Sequence, residues 1–253
     1  MVAFFRNSGF GMAMLSLRVF FLTSMKEIKP IAMPGTHQAF LKFFLRKEPA
    51  PVRILDVGAG YGAFTQKLHG LGYDVHACDL FPEIFEYEAL PCNKVDVTLP
   101  FPYPDKAFDV VIAVEVSEHV PDHENFFGEV NRILRSGGRF YLSTPNILSL
   151  KSRVRFLSTG YFYSFRKLDY YRTDGLQHVA SLTPDQYNFI ATRAGFEVSL
   201  PEIDRRQSTS RWLWFLLYPM LRVQALFGRG GSFHNQKSLL LGRLLFLSFH
   251  KPV

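Results

Sequence analysis

The sequence predicts a doubly wound α/β fold, a mostly parallel sheet with helices on both faces. Short β-branched runs alternate along the chain with amphipathic helical ones, and the first such run ends in a turn with glycine at every second position, Gly58, Gly60 and Gly62. Alternation of this kind makes right-handed βαβ units, which bury the strands between two helical layers. At 253 residues and 47% hydrophobic, the chain has enough apolar surface for one large core.

Taken in order, VRILDV (52–57) is a buried parallel strand. FTQKLHGLG reads as a helix stopped at Gly70 or Gly72, and YDVHACD as the second strand. FDVVIAVE (108–115) is the clearest buried strand. PDHENFFGEVNRILRSGG (121–138) follows as a helix: Asp122 caps it, Phe126, Val130, Ile133 and Leu134 share a face, and Gly137 and Gly138 end it. RFYLSTP is the next strand. TPDQYNFIATRAG (183–195) is a helix with Thr183 as cap and Pro184 at its first position, and FEVSL is the strand after it. Residues 146–180, rich in Arg, Tyr and Ser, exceed an ordinary connection and are expected to form a substrate-side insertion or lid.

Charge is unevenly spread. The net charge is +7, yet all 22 acids fall between Glu27 and Asp204, residues 25–204 hold them with 19 Lys and Arg, and residues 205–253 hold eight basic residues and no acid. The excess points to an anionic surface met by the C-terminal part rather than to a basic domain. Two cysteines, Cys78 and Cys92, with no CxxC spacing, exclude a disulfide framework and a four-cysteine zinc site and fit a reducing, cytoplasmic setting. Residues 1–29 read as an N-terminal extension whose first 24 residues are largely apolar, with only Arg6 and Arg18 charged. Gly9 to Leu17 is short for a signal peptide and no small-x-small cleavage site follows, so an upstream artefact, a loose extension and a targeting or membrane-touching segment stand as alternatives. No span approaches the roughly 20 apolar residues of a transmembrane helix.

In an open α/β sheet, ligands sit outside the carboxyl ends of the strands, and the first strand-to-helix turn floors that site. Glycines let a ligand approach the backbone, and the next helix points free N–H groups at it. The spacing GxGxG departs from the GxGxxG of dinucleotide folds. Asp56, just before the turn, would repel a pyrophosphate but suits an ammonium or sulfonium group. Asp79 closes the second strand, where an acid accepts the hydroxyls of a ribose. The plain alternative is a tight turn with two surface acids.

With these features the sequence resembles the class I S-adenosylmethionine-dependent methyltransferases, nearest the methyltransferase type 11 and ubiquinone-biosynthesis O-methyltransferase-like branch, over roughly residues 35–200. The matching stretches are ILDVGAGYGAF, VHACD, VDVTLPFPYPDKAFDVVIAVEVSEHVPD and NRILRSGGRFYLSTPN. The resemblance implies a Rossmann-like, seven-stranded sheet whose last strand, within LLLGRLLFLSFHKPV, is antiparallel. The domain would occupy 30–253, with insertions at 146–180 and 205–238. S-adenosylmethionine is the implied cofactor, with Gly58, Ala59, Gly60 and Tyr61 around its methionine part and Asp56 near the amino group. Asp79 and Leu80 would hold the ribose, Asp96 and Val97 would lie beside the adenine, and Glu115 would close the site.

Methyl transfer from a sulfonium mainly needs alignment, but an alcohol or phenol acceptor must also lose a proton to a base or a metal-assisted step. EVSEH places Glu115, Glu118 and His119 at the mouth of the fourth strand, and His178 falls where the next crossover returns over the same crevice. The resemblance implies that Glu115, Glu118, His119 and His178 hold Mg²⁺ or another divalent ion, as some relatives do with an ExxEH and a distant His. Glu118 and His119 acting without metal as base and orienter, and a purely structural cluster, are the other readings.

RWLWFLLYPMLRVQALFG (211–228) is strongly apolar, with Arg206, Arg211, Arg222 and Arg229 around it. Pro219 and Arg222 make it a poor span, whereas aromatic and basic residues together suit a helix lying on an anionic membrane; a buried cap or dimer helix is the alternative. Nucleic acid is disfavoured because the run is too continuously apolar for a solvated groove. The expected function is O-methylation of a small-molecule or lipid-linked acceptor. An RNA 2′-O-methyltransferase and a non-catalytic cofactor-binding scaffold are the competing hypotheses, the former requiring steep salt dependence.

Overall fold

The computed structural model describes residues 27–227 and 233–253, with the backbone alone for 221–227. The expected extension at 1–29 therefore lies outside the described residues except for 27–29, as do Arg229 and the Arg222 side chain.

One sheet contains β1 (Arg53–Val57), β2 (Asp74–Asp79), β3 (Cys92–Lys94), β4 (Phe108–Val114), β5 (Leu134–Pro145), β6 (Glu197–Val198), β7 (Glu202–Ile203) and β8 (Leu244–His250). Its order is β3-β2-β1-β4-β5-β8-β6, with β7 also on β8. β1 to β5 are parallel, and β8 inserts antiparallel beside β5. Seven strands are expected from the sequence and eight are found, because the edge segment is interrupted. Glu197 and Val198 pair with His250 and Phe249, whereas Glu202 and Ile203 pair with Phe246 and Leu245. The register slips by one residue between them, across Pro201, which has no N–H to donate. FEVSL is accordingly a strand over Glu197–Val198 only.

The helices are α1 (Thr36–Lys47), α2 (Ala63–Gly70), α3 (His123–Ile133), α4 (Leu150–Thr159), α5 (Pro184–Arg193), α6 (Ser208–Phe227) and α7 (Lys237–Leu241). Side chains alternate across each strand, so the sheet buries two separate clusters. On one face Ile54, Val110, Ile112 and Tyr141 meet Phe40, Phe43 and Phe44 of α1 and Phe64 of α2. On the other, Leu55, Val111, Phe140 and Phe249 meet Phe126 and Phe127 of α3. Phe40, Phe43 and Phe44 form a helical stripe, and α1 is an element that the sequence reading passes over.

Two expectations need correction. The helix expected over 121–138 starts as foreseen, with the Asp122 carboxylate accepting the Asn125 N–H at 3.0 Å, but it ends at Ile133. Leu134 is already in β5, paired with Phe108, and Gly137 takes its left-handed φ of 74° inside that strand. The helix end is satisfied from far away, by Lys251 Nζ donating to the Asn131 and Leu134 carbonyls at 2.7 and 2.9 Å. The stretch 146–180 is not loop throughout: α4 occupies Leu150–Thr159, with Ser149 accepting the Ser152 N–H as its cap.

At the amino-terminal end of the sheet the buried Glu48 carboxylate pairs with Arg139 and accepts the Tyr141 hydroxyl at 2.7 Å, while its carbonyl accepts the Tyr73 hydroxyl. Glu48→Ala would leave two buried donors without an acceptor and is expected to cost about 2 kcal/mol. A lower urea midpoint at unchanged m-value checks this; an unaltered midpoint would show the network to be idle.

Candidate active site

The strand order reverses between β1 and β4, so the crevice that binds ligands opens at their carboxyl ends. Two turns meet there. After β1, Gly58, Gly60 and Gly62 all have positive φ (69°, 54° and 87°). A Cβ on Gly58 would lie 2.4 Å from Val116 Cγ2, and one on Gly62 2.7 Å from the Phe85 ring, so packing as well as ligand access demands glycine here. Gly58 and Ala59 donate their N–H groups to the Cys78 carbonyl at 2.9 and 3.1 Å, which fastens the turn to β2. Tyr61 stands exposed at its tip.

Asp79 completes that fastening: its carboxylate accepts the Gly60 N–H at 2.8 Å and the Phe81 N–H at 2.9 Å. Half-buried beside the turn, it keeps lone pairs for hydroxyl donors. Leu80 faces Gly175 of the insertion. Asp96 accepts the Thr98 N–H and hydroxyl at 2.9 and 2.7 Å, and Val97 packs on the core beside β3. Asp56 is not a surface acid. It is 2% exposed, it accepts the Thr65 hydroxyl at 2.6 Å, and burial raises its pKa to about 7 against the pull of the Thr65 hydrogen bonds.

The second turn follows β4. Glu115 has a φ of 58°, an uncommon conformation for a side-chain-bearing residue and one that clusters at functional sites. Its carboxylate accepts the Ser143 hydroxyl at 3.2 Å, and burial raises its pKa against the opposing pull of Arg243. Glu118 is 1% exposed; Oε2 accepts the Thr144 hydroxyl at 3.2 Å, and Oε1 has no hydrogen-bond partner among the described residues. Burial, with the Glu115 charge adding to it, raises the Glu118 pKa well above the ordinary carboxylate range.

His119 has its ring Nδ1 at 2.9 Å from the Gln177 carbonyl, so Nδ1 carries the proton and Nε2 is left as the acceptor. His178 meets it edge to face, ring centroids 4.9 Å apart, and its buried Nδ1 likewise lacks a hydrogen-bond partner among the described residues. Burial lowers both imidazole pKa values, that of His178 to about 4 with His119 beside it. Glu118, His119 and His178 each offer a ligand atom within 4.8 Å of the others. The fourth expected ligand, Glu115, stands outside this cluster, occupied with Ser143.

The insertion at 146–180 closes over these residues, with the Val179 and Ala180 N–H groups donating to the Glu118 carbonyl at 2.8 and 3.1 Å. Two further groups escape the sequence reading. A buried relay runs from Ser117 to the Tyr187 hydroxyl (3.0 Å), from Tyr187 to Thr144 (3.5 Å) and from Thr144 to Glu118 (3.2 Å), with His123 beside Ser117 at 3.0 Å. Arg243, buried against Asp204 at 2.7 Å, sets the field at Glu115. Tyr187 and Arg243 come from chain segments remote from EVSEH and the glycine turn, and no local pattern marks them.

Comparison with known proteins agrees with this geometry. A "Ubiquinone biosynthesis O-methyltransferase" of Xanthomonas axonopodis pv. citri is 34% identical over 110 residues, 40% of this chain and 46% of that protein. One from Paramagnetospirillum magneticum is 33% identical over 132 residues, 47% and 53% of the two chains. The chain thus spans about half the length of the curated relatives it matches. In fold it is similar to a SAM-dependent methyltransferase from Archaeoglobus fulgidus, at a TM-score of 0.59 and 16% identity over 92% of this chain and 99% of that one. A family model described as "Methyltransferase domain" matches residues 32–200, and the chain belongs to that family, the class I S-adenosylmethionine-dependent methyltransferases.

Proposed function

We propose that this chain transfers a methyl group from S-adenosylmethionine to an oxygen of a small-molecule or lipid-linked acceptor. The observation that carries the proposal is the meeting, at one end of the sheet, of the glycine turn with Asp79 and the Glu118, His119 and His178 cluster. The turn and Asp79 hold the cofactor. As the acceptor oxygen bonds to the methyl carbon, the carbon–sulfur bond breaks and the sulfur leaves neutral, so the remaining task is removal of the hydroxyl proton. His119, neutral and with Nε2 free to accept, takes that proton, with Glu118 beside it in the cluster.

The same three residues fit a divalent cation. Two buried ligand atoms, Glu118 Oε1 and His178 Nδ1, lack partners among the described residues, and His119 is oriented by a carbonyl in the way metal-bound imidazoles are. With Glu115 outside the cluster, two nitrogens and one carboxylate suit Mn²⁺, Fe²⁺ or Zn²⁺ better than Mg²⁺. Bound there through His119 Nε2, such an ion would lower the pKa of the acceptor hydroxyl, in place of His119 acting as the base. Incubation with methyl-labelled S-adenosylmethionine and lysate separated into lipid, small-molecule and RNA fractions is expected to label lipid or small molecules, to stop in EDTA and to resume on adding a divalent ion. Label in RNA would favour the 2′-O-methyltransferase reading. Full activity in EDTA would leave His119 to act without metal.

Asp56 gives the cofactor site a pH dependence. Its carboxylate, with a pKa of about 7 in the free protein, attracts a cationic ligand only when ionised. Affinity for S-adenosylmethionine is expected to rise with pH and level off above about 7, and binding near neutrality to release protons, because the cation pulls the pKa down. Titration calorimetry in two buffers of different ionisation enthalpy reads that release. A pH-independent affinity would remove Asp56 from the cation site.

We also propose that α6 rests on an anionic membrane surface. Trp212, Phe215 and Leu216 are 72%, 70% and 69% exposed and form one stripe with Met220, in a segment rich in Arg and free of acids. The alternative of a cap helix buried within this chain does not fit that exposure. Among the described residues no helix is long and apolar enough to cross a membrane.

A further inference from the structure

The insertion carries a crevice of ≈ 550 Å³ lined by Arg155, Arg166, Lys167 and Arg172, by Tyr163 and Asp169, and by Gln177 and His178. The crevice therefore reaches the proposed catalytic cluster, since the Gln177 carbonyl orients His119 and His178 belongs to that cluster. The crevice is held in register. The Gln177 side chain accepts the Asp169 N–H at 2.7 Å and donates to the Asp169 carbonyl at 2.9 Å, and Phe165 packs on the His178 ring at 5.2 Å.

The wall is strongly positive. Arg172 is paired with Asp174, but Arg155, Arg166 and Lys167 have no acidic partner among the described residues. Against these three cations the crevice offers one carboxylate, Asp169. The Tyr163 phenol has its pKa held below the usual value, chiefly by its hydrogen bond with the Lys151 ammonium, and Arg155 and Arg243 add to the effect.

We propose that this crevice binds a phosphate group carried by the methyl acceptor, leaving the acceptor's hydroxyl at the His119 and His178 end. The net excess of two positive charges matches a phosphomonoester, which carries about −1.5 to −2 near neutrality, better than a single carboxylate. Guanidinium forks bind phosphate oxygens in pairs, and Lys167 adds a point charge. The volume is that of a small-ligand site, large enough for the anion and the group that bears the hydroxyl. The proposal rests on the methyl-transfer reading for its orientation, but not for the binding itself.

The test titrates the full chain with inorganic pyrophosphate by calorimetry, and in parallel measures its flotation on phosphatidylcholine vesicles containing either phosphatidic acid, a phosphomonoester, or the same fraction of phosphatidylglycerol, a diester. The variant is R166E/K167E, two exposed residues, with S-adenosylmethionine binding as the control. Saturable pyrophosphate binding that the variant weakens tenfold or more supports the proposal and a soluble phosphate ester. A preference for phosphatidic acid vesicles that the variant loses supports it and a lipid headgroup. Absence of both, or equal binding by the variant, overturns it. Failure of the S-adenosylmethionine control in the wild-type chain would instead overturn the methyl-transfer reading, so the two failures are separable.

Discussion

Asp79→Ala is expected to lower the affinity for S-adenosylmethionine about a hundredfold, two charge-assisted hydrogen bonds at about 1.5 kcal/mol each. Asp79 does two things at once. In the proposed reading it accepts the ribose hydroxyls, and it holds the Gly60 and Phe81 N–H groups that shape the turn. Asp79→Asn keeps one acceptor oxygen while losing the charge, and should fall between wild type and alanine. Calorimetric titration of the three proteins, with thermal unfolding as a check on the fold, measures the effect. If Asp79→Ala bound the cofactor like wild type, the ribose assignment would fail, whatever the fate of the rest of the site.

His119→Ala is expected to lower kcat by about 10²- to 10³-fold with cofactor affinity unchanged, in the range that a positioned proton acceptor contributes. The separation matters because His119 lies on the acceptor side, bonded to Gln177 of the insertion rather than to the glycine turn. Tyr187→Phe, which breaks the relay to Glu118 without touching the site, should cost about 10-fold through a less well oriented carboxylate. The readout is the initial rate of label transfer to whichever fraction accepts the methyl. A His119→Ala enzyme at full rate would move proton removal to another group. One that lost cofactor binding along with rate would make His119 part of the cofactor site.

Much of this site was legible in the sequence because its cofactor half is local. Asp56, the glycines and Asp79 lie on two consecutive strand ends, and backbone conformation alone constrains them: three positive φ values in five residues leave little choice but glycine. Glu118 and His119 were legible for the same reason, and His178 because a long insertion must return to the site it covers. The remainder depends on tertiary contacts. Asp56 reads as a carboxylate placed for the cofactor's amino group, yet Thr65 and the sheet bury it. Glu115 looks like a ligand in an ExxEH pattern, yet the turn that gives it φ 58° sends its carboxylate to Ser143. Tyr187, in a helix read only for its cap, reaches Ser117 seventy residues away.

The fold divides along the same line. β1 and β4 centre on buried β-branched runs and are visible at once, whereas β2, with Asp74 and His76 among its apolar residues, is buried only in part. The end of α3 is not visible, because Gly137, an ordinary helix stop, serves here as a left-handed irregularity inside β5, with Gly138 following it in the strand, and Lys251 from the chain's other end closes the helix. The edge beyond β8 was counted as one strand because Pro201 divides it by removing a donor, an effect that composition alone understates.

The account stands most directly on what fills the crevice between β1 and β4. Calorimetric titration of the full chain with S-adenosylmethionine, and separately with NAD, tests it at pH 8, where Asp56 is ionised. The geometry predicts saturable one-to-one binding of S-adenosylmethionine and none of the dinucleotide, because a buried carboxylate beside a GxGxG turn favours a cation and opposes a pyrophosphate. Binding of NAD with no heat from S-adenosylmethionine would contradict it.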